Sequence, residues 1–180
     1  MMRAEKLKVG VLTVSDRASR GEYEDRSGPA IDAWLERALV TPFEVERRVV
    51  ADEFEEIGAA IVDLIDEGGA HLVLTTGGTG PAPRDVTPEA TLAVADREMP
   101  GFGERMRAIS LQYVPTAILS RQVGALRGRS LIVNLPGSPR SIGEILDELF
   151  ASIPYCIELM EGPFVDTDPA VVTSFRPKKK

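Results

Sequence analysis

The residues able to do chemistry lie in short polar stretches that leave short apolar runs. Thr75-Thr76-Gly77-Gly78-Thr79-Gly80 has the composition of an anion cradle. Its glycines let the backbone approach closely and turn N–H groups inward, while its hydroxyls add donors. It is not a Walker motif, since no Gly-Lys-Ser/Thr follows, nor a dinucleotide fingerprint, since the third glycine is absent. Asp85, preceded by Arg84, follows in the same Pro-rich loop, and Asp52 closes another apolar run. Two carboxylates converging beside a phosphate cradle suit Mg²⁺, which is held by one or two carboxylates plus substrate phosphates. The alternatives are that Asp52 caps a helix starting at Glu53, and that Asp85 forms a turn or cap with Thr87. Asn134-Leu135-Pro136-Gly137-Ser138 repeats the pattern of strand, tight turn and helix N-terminus that faces a phosphate. It also reads as a plain strand-to-helix turn capped by Ser138 or Ser141.

The elements that must position these stretches alternate. Val9 to Val14 is a nearly continuous apolar run, as in a parallel strand buried on both faces, and a polar loop from Ser15 to Ser27 follows. Gly28-Pro29 opens a helix with Ile31, Trp34, Leu35, Ala38 and Leu39 on one face. Phe43 to Val50 reads as a strand, Glu53 to Glu67 as a helix stopped by Gly68-Gly69, and Leu72 to Leu74 as a third buried strand. Pro81 to Thr87 is irregular, and Thr87-Pro88 starts another helix with Thr87 as its cap. Gly101 to Gln112 and Ile118 to Leu126 read as helical, Leu131 to Val133 as a strand, and the segment from Ser138 or Ser141 to Met160 as one long amphipathic helix. This predicts an α/β fold, a three-layer α/β/α Rossmann-like arrangement with a mostly parallel sheet. Ligands in such folds sit beyond the carboxyl ends of the strands, so the four polar strand ends should open onto one edge. Residues 1–162 form the expected single domain, and 163–180 an extended tail whose Phe164, Val165, Val171 and Val172 pack back on it.

At 180 residues, with 43% hydrophobic and 27% charged, the chain is ordinary globular material, about one domain long. Its net charge of −7 argues against nucleic acid, so an anionic ligand must be met locally by backbone amides, metal or single arginines. One Cys, Cys156, and one His, His71, leave neither a disulfide framework nor a zinc set, which removes most hydrolase and metalloprotease chemistries. His71 reads as a surface or packing residue, Cys156 and Trp34 as core. No signal-peptide core or membrane span is present, and the expected location is the cytoplasm.

A series of motifs in order, Thr13-Val14-Ser15-Asp16-Arg17, Asp25-Arg26-Ser27-Gly28-Pro29, Thr76 to Gly80, Arg84 to Thr91, Met99-Pro100-Gly101-Phe102, Leu119-Ser120-Arg121 and Asn134 to Pro139, resembles the molybdopterin adenylyltransferase family of MogA type, within the MoaB/Mog domain family. The resemblance runs from about Leu7 to Pro177. It implies a trimeric enzyme in which the terminal phosphate of molybdopterin attacks the α-phosphate of Mg-ATP, giving adenylylated molybdopterin and pyrophosphate, with the product passed to a molybdenum insertase. Asp52 and Asp85 match the acidic pair tied to Mg-nucleotide binding. Thr79, Ser110, Ser120 and Ser138 match positions that hold the pterin and its phosphate, and Gly77, Gly78, Gly80 and Asn134 lie around the reacting phosphates. The implied binding set extends to Ser15, Asp16, Ser27, Thr76, Arg84, Pro136 and Gly137. Such chemistry needs no histidine base, because a phosphate with a second pKa of about 6 is largely ionised at neutral pH. A non-catalytic pterin carrier or interaction module of the same fold is the alternative. Some family members carry an extra hairpin near Leu149-Phe150, where this chain runs straight on.

Overall fold

The structure, a computed structural model, describes residues 6–178; the charged start before Lys6 and the last two lysines lie outside them. In chain order the elements are β1 (Leu7–Val14), α1 (Asp16–Ser19), α2 (Ser27–Ala38), β2 (Phe43–Val50), α3 (Phe54–Val62), β3 (Leu72–Thr76), α4 (Thr87–Val94), β4 (Arg97–Glu98), α5 (Pro100–Ser110), β5 (Gly124–Arg127), β6 (Ser130–Leu135), α6 (Pro139–Leu149) and α7 (Ile153–Leu159). They build one six-stranded sheet in the order β2-β1-β3-β6-β5-β4. The first four strands pair in parallel, so their carboxyl ends share an edge. β5 turns back antiparallel on β6, and β4 pairs antiparallel with β5.

The apolar continuity of β1 has its physical reason in the two cores. Leu7, Val9 and Val11 join one cluster with residues of α2, α5, α6 and α7, whereas Leu12 and Val14 join the other with α3 and α4. The chain steps from β1 outward to β2 and then crosses back over β1 to β3, which makes the β1/β3 gap the topological switch point where α/β sheets bind ligands.

Four local expectations give way. The polar loop after β1 contains a turn of helix, α1, capped by the Ser15 hydroxyl, which accepts from the Ala18 N–H. Thr87 does not cap α4: the helix includes it, and its hydroxyl donates to the Gly77 carbonyl instead. The expected helix over Ile118 to Leu126 is a 3₁₀ turn (Pro115–Leu119) followed by β5. Gly124 packs so tightly on Phe102 that a Cβ would lie 2.5 Å from its Cβ, and Gly128, at φ 53°, closes a two-residue hairpin into β6 that periodicity did not mark. The long terminal helix breaks at the 3₁₀ turn Phe150–Ser152, where Pro154 opens α7. Beside that break Met99, Phe102, Leu149 and Ser152 line an open, mostly apolar cavity of 220 Å³.

Trp34 is buried and donates its indole N–H to Asp147, and Cys156 is half-buried against the same core. His71 accepts from the Lys8 N–H at the opposite end of the sheet from the polar strand ends. In the tail Val165 and Val172 are buried, Val171 is partly buried and Phe164 is exposed. Arg176 fastens it, pairing with Glu158, donating to the Val165 carbonyl and covering the Phe164 ring at 4.2 Å. Arg176→Ala is expected to lower the unfolding free energy by about 1–2 kcal/mol, the scale of a partly buried charge-assisted pair. Urea denaturation measures this, and an unchanged midpoint would show that the tail adds no stability.

Candidate active site

The ends of β1, β2, β3 and β6 converge, and glycine makes the convergence tight. Gly77 sits at φ 96° against the Val14 carbonyl oxygen, where a side chain would overlap it. A Cβ on Gly137 would be 3.6 Å from the Gly77 Cα, so the Asn134–Ser138 turn lies directly beside the Thr/Gly loop. The N–H groups of Gly78, Thr79, Gly80, Gly137 and Ser138 meet no acceptor among the described residues. Unpaired backbone donors are what a cradle for an anion requires, because in an ordinary turn they would be satisfied internally.

Asp52 and Asp85 flank this loop. The Asp52 Oδ1 is 3.2 Å from the Cβ position of Gly78, and the Asp85 Oδ2 is 2.8 Å from that of Gly80. Asp52 is no helix cap; α3 starts after Glu53 without a side-chain cap bond. Instead its Oδ2 accepts from the Asp16 N–H at 2.9 Å while Asp16 Oδ1 accepts from the Asp52 N–H at 3.0 Å, a reciprocal clasp of β1 to β2. The Asp85 Oδ2 accepts from the Ala82 N–H, closing its own loop. Both carboxylates keep Oδ1 without a protein partner. Burial pushes the Asp52 carboxyl up, with the Asp16 and Asp85 charges adding to the rise and the Asp16 N–H opposing it. Asp16 behaves oppositely: Arg84 donates to both its oxygens and holds its pKa down at about 2. Arg84 also reaches Glu53, so it straps the glycine loop to the ends of β1 and β2.

Two cavities open along the loop, one at Thr76 and Gly77 and the other at Thr79 and Gly80. The larger, 310 Å³, brings together Thr79, Gly80, Ser110, Ser120 and Pro136 with Val114, Ala117 and Leu119. The smaller, 150 Å³, brings together Ser15, Ser27, Thr76, Gly77 and Gly137. Ser138 lines neither; its hydroxyl caps α6 by accepting from the Ser141 N–H. Asn134 reaches no cavity either. It is fully buried and donates to the Thr75 and Thr91 hydroxyls, a strut at the end of β6 under the loop that the family resemblance places around the reacting phosphates.

Sequence reasoning gave no role to Arg121 and did not single out Gln122. Arg121 donates to the carbonyls of Gly80 and Asp85 and pairs with Glu89, fixing the loop that carries Asp85. Buried Gln122 donates to the Asn134 carbonyl and accepts from the Ser120 hydroxyl. The expected helix over Ile118 to Leu126 hid both roles, because their partners lie on loops and strands distant in sequence.

The model of a probable molybdopterin binding domain matches residues 10–155. A curated relative, the molybdopterin adenylyltransferase of Escherichia coli K12, is 59% identical over 96% of this chain and 94% of its own. The chain belongs to the molybdopterin adenylyltransferase family. A solved structure of the molybdopterin biosynthesis enzyme MoaB from Thermus thermophilus superposes with TM-score 0.80 at 44% identity, covering 88% of this chain and 99% of that one. The molybdopterin biosynthesis Mog protein from Mycobacterium ulcerans gives 0.79 at 39%, covering 86% and 99%. The α/β architecture expected from the strand and helix alternation is the one this family shares.

Two glycines of the loop, Gly77 and Gly80, should respond differently in this member of the family. Gly77→Ala forces a positive φ on alanine against a backbone oxygen and is expected to lose about 2–4 kcal/mol of stability. Gly80→Ala meets only the Asp85 carboxylate, a side chain free to swing away, and should stay within about 1 kcal/mol. Equal losses in a denaturation series would mean that the whole loop is as rigid as its first glycine.

Proposed function

We propose that the chain transfers the adenylyl group of ATP to the terminal phosphate of molybdopterin and releases pyrophosphate. The observation that carries this reading is the set of five unpaired backbone N–H groups beside two free carboxylate oxygens, at the switch point of an acidic protein. The N–H groups meet phosphate oxygens, and the carboxylates meet a divalent cation. Among the described residues no three His, Cys, Asp or Glu side chains form a metal-ligating group, which suits a cation that arrives on the nucleotide. Asp52 and Asp85 would hold magnesium there, and it would draw charge from the phosphates as a Lewis acid.

The remaining work falls to the chain's own groups. The larger cavity offers Ser110, Ser120 and Thr79 hydroxyls and an apolar wall of Val114, Ala117 and Leu119, a match for a flat polar heterocycle such as the pterin. The attacking phosphate is already ionised, so no side chain has to remove a proton, and positioning with charge neutralisation suffices. The Asp16, Arg84 and Arg121 bonds hold both aspartates against the loop, which keeps that geometry when substrates leave.

Asp52→Asn and Asp85→Asn are each expected to lower pyrophosphate release by about 10²-fold or more, with molybdopterin binding retained. A raised Asp52 pKa favours folding fully below the ordinary carboxylate value, and that contribution is lost as pH rises through the raised one. Asparagine cannot ionise, so Asp52→Asn should melt no lower than wild type at neutral pH while losing activity. Molybdopterin binding without pyrophosphate release by the wild type would instead indicate a carrier. The reading also includes a homotrimer that hands its product to a molybdenum insertase; a monomer mass by light scattering at micromolar concentration would remove the trimer.

A further inference from the structure

Guanidinium groups near the acidic pair are mostly engaged. Arg84 is held by Asp16 and Glu53, Arg121 by two carbonyls and Glu89, and Arg20 by Glu22. Arg17 and Arg26 differ, because neither forms an ion pair or donates a side-chain hydrogen bond among the described residues. Both lie over one ring, that of Tyr23, at 5.0 and 6.0 Å from its centroid. Cation–π attraction at an exposed site is worth only about 0.5–1 kcal/mol, too little to explain why two cations share one ring while 28 acidic side chains are available in the chain.

Tyr23 and Arg26 line the smaller cavity with Ser15, Ser27, Thr76 and Gly77. Its one carboxylate, Asp25, is spent on the protein. It accepts from the Thr13 hydroxyl, the Ser27 hydroxyl and the N–H groups of Ser27 and Gly28. Arg17 follows Asp16, whose N–H donates to Asp52, so a single hydrogen bond ties its neighbour to the acidic pair. The cavity thus combines small volume, hydroxyl donors and the uncommitted guanidinium of Arg26, and the second, that of Arg17, lies over the Tyr23 ring that lines it. Guanidinium forks match phosphate oxygens two at a time, and the chemistry is that of a compact, multiply charged anion. The apolar wall that would accept a heterocycle belongs to the other cavity.

We propose that Arg17 and Arg26, held over Tyr23, bind the pyrophosphate end of the nucleotide and neutralise the charge that builds on it as it leaves. This rests on the adenylyl-transfer reading above. In that step an oxygen of the pterin phosphate bonds to the α-phosphorus. The bond from that phosphorus to the α,β-bridging oxygen breaks, and its electron pair departs on pyrophosphate. No proton or electron passes to the protein.

The test compares wild type with Arg17→Gln, Arg26→Gln and the double variant, all at exposed positions, and with Arg17→Lys, which keeps the charge but loses the fork. Pyrophosphate release from ATP and molybdopterin gives kcat and KM, and added inorganic pyrophosphate gives product inhibition. Each Gln variant is expected to lower kcat about 10–100-fold and to weaken pyrophosphate inhibition by a similar factor, with KM for molybdopterin unchanged and Arg17→Lys intermediate. Wild-type kcat and inhibition in the double variant would overturn the proposal, as would a raised KM for molybdopterin alone. A wild type that releases no pyrophosphate would defeat the adenylyl-transfer reading separately. Calorimetric binding of inorganic pyrophosphate would then still decide the arginines: loss in the double variant supports them, and equal binding overturns them.

Discussion

Gly77 passes the end of β1 so closely that a side chain would overlap the Val14 carbonyl, and the geometry of the whole carboxyl edge follows from that passage. It lets the Thr/Gly loop lie across the switch point between β1 and β3. The Gly77 N–H reaches the Leu135 carbonyl, and its own carbonyl accepts the Thr87 hydroxyl. One residue therefore joins β1, β3, β6 and the start of α4, while the amides that follow it are left with no internal partner. A turn with its donors satisfied would be more stable and would have nothing to offer an anion.

Charge is arranged around that loop with opposite intent on its two kinds of carboxylate. Asp16 is saturated by Arg84 and serves as a structural hinge between β1 and β2, with its pKa held low. Asp52, a hydrogen bond away, is half-buried against like charges and pushed the other way. A site that keeps one carboxylate uncompensated beside free amides stores the mismatch that phosphates and a cation would relieve. Most arginines nearby serve as straps, and among the described residues the pair over Tyr23 is left uncommitted.

Much of the fold was legible because burial on both faces of a parallel sheet demands continuous apolar runs, and β1, β3 and β6 carry them, whereas β2, at the edge of the sheet, alternates apolar with charged residues before it ends in Val49-Val50. The β2 range agrees with the expected Phe43 to Val50. The β5 hairpin was not legible, because four residues carry too little periodicity to register, and because Gly124 is there to clear Phe102, a contact no local pattern encodes. Thr87 misled for a related reason: a threonine before a helical proline fits a cap, but the Gly77 carbonyl lay closer to hand. In the site, glycine and acidic residues at strand ends stood out by type. Asn134 stood out equally and lies beneath the loop, since sequence shows which residues leave a strand but not which side of the turn they face.

Sequence alone determined the alternation of elements, the sheet edge that carries the polar residues, the scarcity of histidine and cysteine, and the presence of aspartates at strand ends and in the glycine loop. These depend on residue type and local spacing, which the chain states directly. Tertiary structure decided which of those groups remain unpaired. The clasp between Asp16 and Asp52 spans 36 residues, the Arg84 strap to Asp16 spans 68, and the Arg121 bond to the Gly80 carbonyl spans 41. A hydrogen-bonding group is available to a ligand only if no distant part of the chain has claimed it, and that is settled when the strands close side by side.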